Sequence, residues 1–249
     1  MAASFVANLF TPVANVTSST TMTATTAVTV AAGDTAFIQA GARGGTTTAQ
    51  SCTLSGLPGD AVVEKSPDIS ASGSPAVQMF RVYFPTGMAS GTVITFTWVQ
   101  SATRKCAGGQ VWTQVANANG VWQTATPGGT ANLTAGTTGA TTTTTGVHVA
   151  SWWFHSTVNT LTVTPGSDTE GAMTERVDIV SGASSFGYLY AEDRPTVAAH
   201  AGGMTATATI SAAAASSVGV QGVWDGAAPA KSPPPVQPRR RAMLALIGR

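Results

Sequence analysis

Apolar and polar positions alternate along most of this chain with a period of two. In the stretch 92–98, Ile94, Phe96 and Trp98 share one face, and Val93, Thr95 and Thr97 share the other. In 204–210 one face is Met204, Ala206, Ala208 and Ile210, and the other is all Thr. That is a strand with one buried side and one wet side. The stretch 147–155 carries bulk on both faces, which predicts a central strand covered on both sides. Further strand signals run over 21–30, 34–41, 77–84, 109–115, 175–180, 186–191 and 217–224. Nearly all are bounded by Gly, Pro, Asn, Asp or Ser. No internal stretch sustains a 3.6-residue period. The pattern predicts an all-β fold, an antiparallel β-sandwich of jelly-roll-like type, with negligible helix before residue 231.

Composition sharpens that picture. Of 249 residues, 43% are apolar and 9% charged, far below the roughly 25% charged of ordinary soluble domains. Disorder needs few apolar groups and much net charge, so residues 1–230 are expected to fold as one body. No run approaches 18 consecutive apolar residues, so no membrane span is expected. Residues 1–16 show neither a basic region nor a continuous apolar run, and no secretory signal is expected there. Cys52 and Cys106 do not make a disulfide framework, though a single bridge stays open.

Charge is unevenly spread. Residues 1–230 carry seven Lys/Arg against eleven Asp/Glu, a net −4. Residues 231–249 carry Lys231, Arg239, Arg240, Arg241 and Arg249 and no acid, a net +5. Pro233, Pro234, Pro235 and Pro238 make an extended spacer before the arginines, and Met243, Leu244, Leu246 and Ile247 follow them. Spacer, basic cluster and apolar plug read as a docking arm. The body is acidic, so a protein partner suits the arm better than nucleic acid.

The two halves look alike. Residues 79–84, then a Gly-containing turn, then 91–96 match 186–191, a longer loop, then 203–208. Each reads as aromatic strand, Gly loop and Thr-alternating strand. An internal duplication is expected, its second half beginning near 132–145.

The run Gly171-Ala172-Met173-Thr174-Glu175-Arg176-Val177-Asp178 resembles a recurring G-W-T-E-R turn-to-strand element, with Met173 where that element has Trp. The aromatic strand at 186–193, the Gly-Gly-Thr-alternating strand at 201–211 and the strand at 218–224 follow. This succession resembles a β-sandwich domain of minor tail and other virion proteins of actinobacterial phages, also found in some secreted actinobacterial proteins. It covers roughly residues 140–225. The resemblance implies no catalytic residues.

Candidate chemistry is sparse. No nucleotide loop, zinc-protease helix or nucleophile elbow is present. His148 and His155 lie seven apart on one strand and face opposite sides, against a shared metal. His200 stands alone. The acids Asp168, Glu170, Glu192 and Asp193 read as solvated loop residues that do not converge. Trp98, Trp153 and Trp224 are expected in the core. Trp112 and Trp122 bracket a turn at 117–120, and are expected to pair across a hairpin and to offer surface contacts.

These readings predict a non-enzymatic structural protein of a bacteriophage virion, a minor tail protein, assembled in the host cytoplasm, with no cofactor or metal. The expected partners are other virion proteins and further copies of the chain, with a host-surface glycan as a possible ligand; no nucleic acid or membrane is expected. The alternatives are a head (capsid) decoration protein and a secreted carbohydrate-binding or adhesin module.

Overall fold

The structure is a computed structural model that describes residues 2–44, 50–70, 75–117, 120–126, 130–136, 138, 145–157, 161–182, 186–196, 199, 203–214 and 216–227. Its N-terminal half contains β1 (Ser4–Asn8), β2 (Val13–Asn15), β3 (Ser19–Thr25), β4 (Thr35–Gly44), β5 (Cys52–Ser55), β6 (Val62–Lys65), β7 (Ile69–Ser70), β8 (Pro75–Tyr83) and β9 (Val93–Thr113). Its C-terminal half contains β10 (Val121–Ala125), β11 (Asn132–Thr134), β12 (Val147–Ser156), β13 (Val163–Asp168), β14 (Gly171–Ala172), β15 (Thr174–Ser181), β16 (Phe186–Pro195), β17 (Thr207–Ile210) and β18 (Ser216–Trp224). Every pairing between these strands is antiparallel, and the described residues form no helix. The fold is the expected all-β assembly of sheets packed on sheets.

Each half is a two-layered sandwich. In the N-terminal half the inner sheet runs β1-β9-β4-β8-β6, and the first part of β9 also pairs with β3 and β5 to make the outer layer. In the C-terminal half the inner sheet runs β10-β18-β12-β16-β15, and a separate sheet β11-β17-β13-β14 makes the outer layer. One strand, β9, therefore does in the first half what β17 and β18 do in the second.

The separate strand signals at 92–98 and 109–115 belong to one strand, β9, which runs on between them for 21 residues in all. The buried Lys105 explains this. Its ammonium donates to the carbonyls of Thr17, Ser19 and Ala102 and to Ser19 Oγ, at 2.7–3.0 Å. One backbone oxygen of β9 and two of the facing segment 17–19 thus find a donor where β9 passes between layers.

Three apolar clusters follow from this layering. Ile38, Phe80, Val82, Ile94, Phe96 and Trp98 fill the first sandwich. Trp152, Phe154, Tyr188, Tyr190, Ala208 and Ile210 fill the second. Phe37, Met79, Trp112, Trp153, Leu189 and Trp224 lie between the two inner sheets. β12 is buried at every position because its even residues face the second sandwich and Val147, Val149 and Trp153 face the junction. Cys52 and Cys106 are both buried, free and in different clusters, so no bridge joins them.

The pairing scheme repeats. Thr35 on β4 pairs with Tyr83 and with Trp112, and Val147 on β12 pairs with Pro195 and with Trp224. All three positions recur 112 residues later (35 to 147, 83 to 195, 112 to 224). Trp98 and Ile210, each paired to the outer layer, keep the same spacing.

Candidate functional site

Aligning the halves at this spacing exposes one chemical difference. Ala36, Phe80, Val82 and Gly109 in the first sandwich correspond to His148, Glu192, Arg194 and Gln221 in the second. β12 projects His148 inward and β16 projects Glu192 and Arg194. β18 adds Gln221, and the end of β13 adds Asp168. The expectation that these acids sit in solvated loops is corrected. Glu192 and Asp193 are fully buried on β16, and the Asp168 carboxylate is buried at the end of β13. Neighbouring strands bring together residues that the sequence keeps up to 73 positions apart.

His148 is held on both sides. Its Nδ1 lies 2.8 Å from Asp168 Oδ2, and its Nε2 lies 2.8 Å from Gln221 Oε1. The Gln221 amide is itself fixed. Its oxygen accepts from the Ala206 amide at 2.9 Å, and its nitrogen donates to the carbonyls of Gly136 and Met204 at 2.8 and 2.9 Å. An oxygen therefore faces each ring nitrogen, and both nitrogens are engaged by fixed groups of the protein itself.

Asp168 gathers further donors: the amides of Glu170 and Gly171 and Arg194 Nη1, at 2.8, 3.1 and 3.0 Å. Arg194 Nη2 also reaches Glu170 at 3.5 Å. Burial alone would raise the Asp168 carboxyl. The His148 bond and charge, the Glu170 amide and Arg194 outweigh it, and the carboxyl sits below its ordinary value.

Glu192 behaves in the opposite way. Burial pushes it up to about 7, against the Gly166 amide and the Tyr190 hydroxyl that donate to Oε2. Its Oε1 has no hydrogen-bond partner among the described residues.

A second polar group lies at the junction. Trp112 Nε1 donates to Asp193 Oδ2 at 3.0 Å, and Arg176 Nε donates to Asp193 Oδ1 at 2.8 Å while its guanidinium stacks on Phe5. Burial raises Asp193 to about 6, held back by Arg176 and Trp112. Glu64 accepts from Trp122 Nε1, Trp224 Nε1 and the Gly120 amide at 2.6, 3.0 and 2.8 Å.

The expected hairpin between Trp112 and Trp122 is corrected: β9 and β10 belong to different sheets, and the two indoles serve different carboxylates. Trp112 is 1% exposed and is no surface contact. Trp122 is half-buried, edge-on to Trp224 at 4.8 Å. Trp98, Trp153 and Trp224 are in the core as expected.

His155 faces the junction, away from His148, and meets Arg43. Burial, then Arg43 and Arg104, lower it to about 4. Among the described residues no group of three or more His, Cys, Asp or Glu is placed to hold a metal. His200, Arg239, Arg240, Arg241, Met243, Leu244, Leu246 and Ile247 lie outside the described residues.

The one signal that pointed to the buried set was His148 on a strand bulky on both faces, since a polar side chain buried there needs partners. No family model, no curated protein and no solved structure matches the chain.

Proposed function

We propose that this chain is a non-enzymatic structural protein of a bacteriophage particle, a minor tail protein, that acts as a rigid β-rich building block. The observation that supports the non-enzymatic reading is the confinement of His148. The ring has acceptors on both nitrogens, so the most base-like side chain of the buried set is a cross-brace between β12, β13 and β18. The two tryptophans expected at the surface are also tied into the junction. Trp112 is buried, and the indole N–H of Trp122 is used by Glu64. That favours the structural reading over the adhesin one.

Placement in a phage tail rests on the sequence resemblance at 140–225, and attachment to the particle is assigned to the arm at 231–249. The chain should be present in purified particles of the genome that encodes it. An antibody against residues 1–230 should label one end of each particle. Label spread over the head would support decoration instead, and particles without the chain would overturn the virion reading. A hydrolysis signal in a broad glycan and peptide screen that is lost in Glu192→Gln or Asp168→Asn would overturn the non-enzymatic one.

A further inference from the structure

The contacts among the central strands of the two inner sheets repeat when the halves exchange roles. β8 packs on β12 and β18, and β16, its counterpart, packs on β4 and β9. β4 packs on β12, which is its own counterpart. The polar ends obey the same rule. Trp112 donates to Asp193, and its counterpart Trp224 donates to Glu64, which sits beside Arg81, the counterpart of Asp193.

Two contacts then locate an axis. A Cβ added to Gly41 would overlap the ring of Trp153, and Arg43 touches His155. At the repeat spacing, 41 corresponds to 153 and 43 to 155. A residue touches its own counterpart only where a two-fold axis passes between them.

We propose that the inner sheet of each half is a two-fold association surface whose partner is a second copy of the same jelly-roll unit, supplied here by the same chain. Trp153, seated in the space over Gly41, is what makes the pairing obligatorily N-terminal half with C-terminal half. Two tryptophans on the axis would collide, and two glycines would leave a void where the indole now lies. The association surface is thereby used up within the chain, and contacts to other proteins fall to the sandwich edges and the terminal arm.

Two-fold symmetry makes a prediction that ordinary packing does not: the knob and the hole can be exchanged. Trp153 also needs the space over Gly187, which corresponds to Pro75. The reversed full-length variant therefore carries Gly41→Trp, Trp153→Gly and Pro75→Gly. Urea unfolding midpoints would be measured for it and for Gly41→Trp and Trp153→Gly separately. Each single change should lower the midpoint clearly, and the reversed set should recover at least half of the summed loss. A reversed set as damaged as the sum of the singles would overturn the proposal.

If the core variants do not fold, the rim of the axis decides. His155→Arg places two arginines on the axis and should lower the midpoint, and adding Arg43→His should restore it. No recovery there would also overturn the symmetric reading.

Discussion

The two sandwiches share a frame and fill it by different chemistry. The first packs Ala36, Phe80 and Val82 against Ile38 and Phe10, with Gly109 leaving room for the Phe10 ring. The second places His148, Glu192, Arg194 and Gln221 at the matching positions and ties them to Asp168, Tyr190 and backbone groups. An apolar core tolerates many shapes of similar volume. A buried polar network is satisfied in one arrangement only, because each donor left without an acceptor costs about 1–3 kcal/mol. The first half therefore owes its stability to burial, whereas the second spends stability on a single defined packing.

The largest effect should come from removing one member of the network. Asp168→Ala leaves Arg194 and His148 without their shared carboxylate. It should cost about 3–5 kcal/mol in urea unfolding, as breaking a buried ion pair does. The triple change His148→Ala, Asp168→Leu and Arg194→Val removes the ion set joined by Asp168 and leaves Glu192 and Gln221 in place. It should regain most of that loss, since replacing a whole buried ion set by apolar groups is often neutral or better. A triple variant no more stable than Asp168→Ala would break the comparison.

The next effect is in pH. A carboxyl held at about 7 in the folded chain, against about 4.3 when unfolded, favours folding below the lower value and loses that contribution as pH rises through 7. Between pH 5 and 8 the swing is on the order of 2–3 kcal/mol. Wild type should therefore lose stability between pH 5 and 8 relative to Glu192→Gln, as measured by thermal unfolding at both pH values. Asp193, raised to about 6, adds a dependence of the same sign at slightly lower pH that stays in both proteins. Equal pH profiles for the two would remove Glu192 from the account.

The smallest effect concerns the junction. Trp122→Phe keeps the edge-on ring but removes one donor from Glu64, which retains Trp224 Nε1 and the Gly120 amide. A loss of about 1.5 kcal/mol is expected, the low end for one hydrogen bond to a charged group, because Trp122 is half-buried. A loss above about 4 kcal/mol would mean that Trp122 is a core residue, not a covering one.

Much of the frame was legible because alternation reports which face is wet. Ile94, Phe96 and Trp98 are buried while Val93 and Thr97 are exposed, and the all-Thr face of 204–210 points outward. The repeat was legible where chemistry kept its period: 91–96 against 203–208 stand at the spacing that the pairings use. The aromatic runs at 79–84 and 186–191 do not. Phe186, Tyr188 and Tyr190 fill the second core, and the first has Ala76 and Gln78 at the positions of β8 that correspond to Tyr188 and Tyr190. Similar composition there masks a shift of five residues along the strand. The buried network was illegible for a different reason. Glu192, Asp193 and Arg194 next to Pro195 read as a loop, and the groups that neutralise them come from strands far away in sequence.

β9 has a mechanical consequence. At about 3.4 Å per residue its 21 residues are roughly 70 Å of continuous strand, hydrogen-bonded to β1, β2, β3, β4 and β5. Tension applied to the first half loads both of its layers through that one strand in shear, so the layers yield together. In the second half β17 ends at Ile210 and β18 begins at Ser216 in a different sheet, so the sheet β11-β17-β13-β14 can peel away while β18 still holds β12. A single molecule stretched from its ends should give way in the second half first and in more than one step, and in the first half later and in one.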